Sequence, residues 1–254
     1  MPQCPLEETP YRIGAAVGYS FTGYKEEIES PINRYLNTLT YILDGNIEKG
    51  NFLHSFNINF FIGNAQMVSP YLGYSHLQYI SARGFIEYAL DCRLWGNSTF
   101  PGFLGGAFRT LIHYTGVDFA GVGDKEYYPL PTGLGFISLD LHISQKWIIN
   151  DKNSIVLSAG YPLFGYAVRP AYAGFDELWM KYLYDGSYAK ILSLGEFTSF
   201  HNCWAVFGDL KYHYKISALL SSYSGLAFEI SQFNFPRPRR DAIFRLNTGV
   251  AFTF

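Results

Sequence analysis

The chain has no run of about 18 apolar residues, which excludes a helical membrane span, and no positively charged start followed by an apolar core. A protein exported across an inner membrane needs such a leader, so any reading as an exported protein expects the numbering to begin at or near the mature end. Cysteine is scarce. Cys4, Cys92 and Cys203 have no metal-ligand spacing, and three thiols cannot all pair. Charge is also low, with 16% Asp, Glu, Lys and Arg and a net charge of −2. The basic residues are scattered except at Arg237-Pro238-Arg239-Arg240, so no groove for nucleic acid is indicated. There is no internal repeat, no low-complexity segment and no linker, so 1–254 reads as a single domain.

Aromatic residues are abundant instead: 21 Tyr, 22 Phe and 4 Trp make up 19% of the chain. In a transmembrane barrel such a surplus has a place, because aromatic rings form girdles where lipid meets water. A mean hydropathy near zero fits a wall that is apolar outside and polar inside. The last stretch adds to this. Asn247-Thr248-Gly249-Val250-Ala251-Phe252-Thr253-Phe254 alternates, with a polar residue, a glycine two later, and aromatics three and five after that. This pattern resembles the terminal insertion signal of Gram-negative outer-membrane β-barrels, with Asn247, Gly249, Phe252 and Phe254 as the assembly signal. The resemblance implies a bacterial outer-membrane location. It also implies contact with outer-membrane lipid and lipopolysaccharide, and barrel-assembly machinery as a partner during insertion.

Alternation recurs along the chain. Ile13, Ala15, Val17, Tyr19 and Phe21 oppose Gly14, Ala16, Gly18, Ser20 and Thr22, and Phe56, Ile58, Phe60 and Ile62 oppose Ser55, Asn57 and Asn59. Ile137, Leu139, Leu141, Ile143 and Trp147 face away from Ser138, Asp140, His142, Ser144 and Lys146. This period-two pattern is that of strands between lipid and a lumen. Further strands are expected over 70–80, 86–94, 102–119, 155–163, 198–215, 217–234 and 240–254, with a tight turn at Ser81-Ala82-Arg83-Gly84 and a bulge at Pro162.

Two segments show helical spacing: Ile32, Tyr35, Leu36, Leu39 and Leu43 after Ser30-Pro31, and Leu178, Trp179, Tyr182 and Leu183 between Gly174 and Gly186. A strand remains the alternative for the first, given Thr38, Thr40 and Tyr41. The expectation is therefore an all-β fold, a transmembrane antiparallel β-barrel of about ten strands with short helices in two external loops. Residues 1–10 form an N-terminal extension and 25–50 and 171–197 form long external loops. Short turns such as Asn150 to Asn153 lie on the side of the C-terminus.

The inward faces collect Glu87, Asp91, Arg93, Arg109, His113, Asp140, His142, Lys146, Asp209, Lys211, His213, Glu229 and Arg245. Charges of both signs across so narrow a lumen form a hydrogen-bonded plug; a narrow solute path or ligand pocket is the other use of the same residues. His201 is also expected inward, whereas His54 and His76 fall outside that pattern. Arg237, Arg239 and Arg240 are candidates for lipopolysaccharide phosphates, and Leu178 and Trp179 for a partner.

His142-Ile143-Ser144 has the His-x-Ser spacing of outer-membrane phospholipases, but both polar residues point away from lipid. The omptin proteases are similar in size, and Asp118 and Asp124 lie near one rim without a histidine to join them. No catalytic set, metal site or cofactor is expected. The resulting reading is a non-enzymatic, porin-like outer-membrane protein. It acts as a binding or assembly component of a larger complex with other outer-membrane proteins, or as a narrow solute channel. A lipid-modifying hydrolase is the alternative.

Overall fold

The computed structural model describes residues 11–26, 30–68, 78–118, 132–170, 177–235 and 237–254. Its strands are β1 (Tyr11–Glu26), β2 (Ser30–Lys49), β3 (Phe52–Val68), β4 (Gln78–Trp95), β5 (Gly102–Asp118), β6 (Thr132–Ile148) and β7 (Asn153–Val168). After two helices, α1 (Glu177–Tyr184) and α2 (Tyr188–Leu192), come β8 (Glu196–Thr198), β9 (Cys203–Lys215), β10 (Leu220–Phe233) and β11 (Arg239–Thr253). Apart from β8 and β9, which both pair with β7, each strand pairs antiparallel with its neighbours in sequence, and β1 pairs with β11 to close the ring. The short β8 extends the wall above β9 along β7, so the two pieces make one wall position and the barrel has ten. Neither helix is long and apolar enough to cross a membrane.

Alternation in sequence becomes two faces in space. On β6, Ile137, Leu139, Leu141 and Ile143 are exposed, while Ser138, Asp140, His142 and Ser144 are buried in the lumen. A solvent-facing wall of this kind strands large apolar surface in water, and lipid removes that penalty. Aromatics band its lower margin at Tyr11, Phe52, Tyr212, Tyr214, Phe252 and Phe254. Higher up the outward residues turn polar, at Asn37, Asn64 and Arg240. The 16 residues of β1 rise ~40 Å after allowing for tilt, more than an apolar band of ~25 Å, so the wall projects past the lipid at one end. The connections 50–51, 96–101, 149–152 and 216–219 gather at the end that holds the C-terminus, and 169–195 at the other.

Three expectations need correction. Residues 30–49 form strand β2, not a helix in an external loop over 25–50. Leu39 and Leu43 are four apart, a spacing that puts residues on one face of a helix and of a strand alike. Leu36 and Leu39 differ by an odd number and separate, Leu36 at 1% exposure in the lumen and Leu39 at 51% outside. Gly45 lies within β2, opposite Phe56 of β3, where the aromatic ring occupies the space a Cβ would need.

Ser81 to Gly84 is not a turn but the middle of β4, which pairs without interruption with β3 from Tyr79 to Cys92. Of the separate strand expected over 70–80, residues 78–80 belong to β4; residues 69–77, with His76, lie outside the described residues. The total of ten stands because one strand was missed and one continuous strand was divided. His201, the third, is exposed in the turn after β8, where its Nδ1 meets Ser199 Oγ at 2.6 Å.

The bulge at Pro162 is present. Leu139 pairs with Phe164 and Asp140 with Pro162, leaving Leu163 as the extra residue. On its other side β7 pairs with β9 only up to Gly160 and with β8 only from Gly165. Between those points β7 is locally an edge, which is where a residue without an N–H is tolerated.

The second expected loop helix appears as α1, with α2 following. Ile191 packs on Val168, with Tyr166, Tyr182 and Leu194 around it, and the Tyr166 hydroxyl donates to Leu192 O at 2.6 Å. The helical segment is thus partly seated on the outer face of β7, while Leu178 is 53% exposed.

Candidate functional site: a charged lumen

The inward register of β4, β5, β6, β9, β10 and β11 carries every charged residue and histidine of the anticipated cluster. At mid-height Arg109 (β5) donates from Nε to Glu87 (β4) at 3.0 Å, and its Nη1 lies 2.6 Å from Asp140 (β6). Its guanidinium also sits 3.4 Å from the ring centroid of Phe207 and 5.2 Å from that of Phe85. A desolvated cation held between two carboxylates and two ring faces is fixed in place.

Near it, His142 Nδ1 lies 2.7 Å from Asp91 Oδ2. These two residues sit two strands apart, and Gly105 on the intervening β5 is the register partner of both. A Cβ on Gly105 would meet the backbone and carboxylate of Asp91, so glycine is what lets the bridge pass over β5.

Toward the short-turn end, Lys211 (β9) donates to Asp44 (β2) at 2.6 Å and pairs with Asp209 at 3.1 Å, and the Tyr223 hydroxyl (β10) donates to Asp44 at 2.9 Å. Arg12 (β1) donates to His213 Nδ1 at 2.8 Å. Lys146 and Glu48 are 3.7 Å apart and partly exposed at this mouth. Arg93 faces the same way, without an ion pair among the described residues.

Toward the other end, Arg83 (β4) bonds Glu229 (β10) across the lumen and lies 3.8 Å from Asp241 (β11). Arg239 (β11) bonds Asp241 through Nε at 3.0 Å and reaches His113 (β5), which also meets Ser81 at 2.8 Å. Beside them an apolar group, Leu111, Leu134, Phe136, Ala167, Cys203 and Phe233, is buried together, with the rings of Phe136 and Phe233 5.0 Å apart. Above them Arg169 donates to the carbonyls of Phe235 and Arg237 at 2.9 and 2.8 Å, tying the β10–β11 connection to the end of β7.

The sequence makes Arg239 a candidate for lipopolysaccharide phosphates. That assignment is wrong, since its exposure is 0% and its guanidinium belongs to the lumen. Arg237 and Arg240 are exposed, and Arg240 lies on the outward face of β11. Of the assembly-signal residues, Phe252 and Phe254 face outward and Asn247 faces the lumen. His54 faces outward and meets the Tyr88 hydroxyl at 2.8 Å. Among the described residues no group of three or more His, Cys, Asp or Glu is arranged to hold a metal. His142 and Ser144 share the lumen face, and neither bonds the other. Asp124 and Cys4 lie outside the described residues.

Six further lumen residues escaped the sequence reading: Arg12, Asp44, Arg83, Tyr223, Arg239 and Asp241. Parity was the available signal for most of them. Arg83 is four before Glu87 and Asp241 four before Arg245, so each shares its neighbour's face once the segment is taken as one strand.

No protein-family model matches the sequence, and no curated protein sequence matches it. Among solved structures, the outer membrane protease OmpT from Escherichia coli aligns with a TM-score of 0.55, covering 98% of this chain and 98% of that one at 7% identity. The translocator domain of the autotransporter NalP from Neisseria meningitidis aligns with a TM-score of 0.48 over 98% of this chain and 90% of that one, at 8% identity. Neisserial surface protein A gives a TM-score of 0.39, covering 96% and 97%, at 7% identity. The likeness to OmpT is one of fold: the chain is a closed antiparallel barrel of the outer-membrane type.

Proposed function

We propose that the protein is a non-enzymatic component of a bacterial outer membrane, a closed barrel that binds or helps assemble neighbouring proteins and does not act as an open channel. The observation that supports this reading is the closed lumen. Ion pairs span it from opposite walls, and the layer around Phe136 and Phe233 fills the end with the long connections. A barrel closed in this way offers its rim and outer wall as working surface, and there Leu178, Tyr184, Tyr188 and Leu192 of the helical segment remain exposed. A lipid-modifying hydrolase finds less support. His142 spends its Nδ1 on Asp91, Ser144 makes no bond to it, and the residue between them, Ile143, is the one that faces lipid.

Two measurements test the proposal. Reconstituted in planar bilayers, the protein should show no large steady conductance; stable open currents would put the solute channel first. Replacing Leu178 and Trp179 with Ser should reduce co-purification of neighbouring outer-membrane proteins while leaving esterase activity on native lipids at background. Unchanged partners with a clear loss of lipid hydrolysis would promote the hydrolase.

A further inference from the structure

Below the apolar layer the lumen is not filled. A chamber of about 160 Å³ lies at mid-height, and it continues past Arg12 and His213 into a vestibule of about 400 Å³ that ends among the turns before β7 and β10. The two spaces share Asn46, Ser144, Arg12 and His213 as lining residues, so they form one path from the short-turn end. Since a water occupies ~30 Å³ of liquid, the chamber has room for several waters or one small solute.

The cations around this path are not all paired. The wall of the chamber carries five cations and four carboxylates, and two more carboxylates behind it, Asp140 and Asp241, are taken by Arg109 and Arg83; the vestibule has four cations and two carboxylates. Every carboxylate of the chamber is already held by a cation: Asp44 and Asp209 by Lys211, Glu87 by Arg109, and Glu229 by Arg83. Arg245 is the cation left over. It has no ion pair among the described residues, and its Nε is buried with no hydrogen-bond partner. The carboxylates whose charge it feels, Asp209 and Glu229, are two of those held by others.

The stem of Arg245 lies over Gly18 of β1, where a Cβ would come within 2.9 Å of Cγ and 3.0 Å of Cδ. Glycine there leaves the side chain its place against the wall. Arg12, at the junction of the two spaces, bonds an imidazole and not a carboxylate. A guanidinium with a buried and unbonded Nε is costly, and its planar fork matches an oxyanion.

We propose that the chamber is a binding site for a small oxyanion, of the carboxylate or phosphate class, that enters from the short-turn end, passes Arg12 and is received by Arg245. This goes beyond the closed-barrel reading and does not depend on it. An open pore would still hold the anion at Arg245, and a closed barrel without anion affinity would leave that reading intact.

The test uses the full-length barrel in detergent, titrated calorimetrically with succinate and, separately, with inorganic phosphate at low ionic strength. Methylammonium serves as the cationic control. At least one anion should bind, with affinity falling at least tenfold in Arg245→Gln and several-fold in Arg12→Gln. Lys49→Gln, which removes an equal charge from the exposed end of β2, should leave it unchanged. Folding of each variant is checked by heat-dependent electrophoretic mobility; should Arg245→Gln fail to fold, Arg12→Gln against Lys49→Gln decides. Absence of binding by both anions at millimolar concentration overturns the proposal, as does equal loss in Lys49→Gln or full retention in the folded Arg variants.

Discussion

At the scale of single residues, the wall and the lumen obey opposite rules. Leu139 and Ile143 face outward at 58% and 42% exposure, so apolar replacements there meet only lipid. Arginine at either position, if it lies near the bilayer midplane, should cost ~2–4 kcal/mol in a reversible folding measurement. Equal tolerance of Arg and Leu at both sites would contradict the lipid-facing assignment. Inside, the concern is an orphaned charge. Glu229→Gln removes the main partner of Arg83, whose side chain is 2% exposed, and leaves only Asp241 at 3.8 Å. Breaking a buried pair from one side typically costs ~3–5 kcal/mol, and with the second carboxylate present the low end applies. The Arg83→Met, Glu229→Met double variant should lose less than Glu229→Gln, as a denaturant titration would register. A larger loss in the double variant would mean that the pair itself, and not the stranded cation, sets the energy.

At the scale of elements, β2 is the sharpest case. Its inward residues Thr38, Thr40, Ile42 and Asp44 are buried, and Asp44 holds Lys211 and Tyr223 from across the lumen. Thr40→Pro places a residue without an N–H in the middle of a strand paired on both sides, opposite Gly18 and Phe61. It should abolish the compact, heat-modifiable form on a gel. Normal folding of that variant would restore an external loop over 25–50. The sequence cue that misled here is general: leucines at spacings of four satisfy both periods, and only an odd spacing separates them. β4 shows the reverse error. Its Ser-Ala-Arg-Gly run has turn-like composition, yet Arg83 is wanted inside because Glu229 and Asp241 wait on the far wall. Nothing local to residues 81–84 carries that information.

At the scale of the whole molecule, the two ends of the lumen differ. One end is closed by Phe136, Phe233 and their neighbours, and the other opens through a vestibule. Replacing Phe136 and Phe233 with Ala thins the closure while leaving the ion pairs below it. The double variant should therefore show brief, small currents where the wild type shows none, and a wild-type-like silence would place the main barrier at the ion pairs. Amino-acid order alone determined the class of fold and the parity of nearly every strand, because period-two burial is a local property that each strand displays by itself. It also determined which charged residues face inward along strands correctly taken as continuous. Tertiary structure alone decided the partners. Arg83 meets Glu229, Asp44 meets Lys211, and Arg245 is left with no carboxylate because closure of the ring brings strands from opposite walls within bonding distance. That juxtaposition depends on strand number and register, which no single segment encodes.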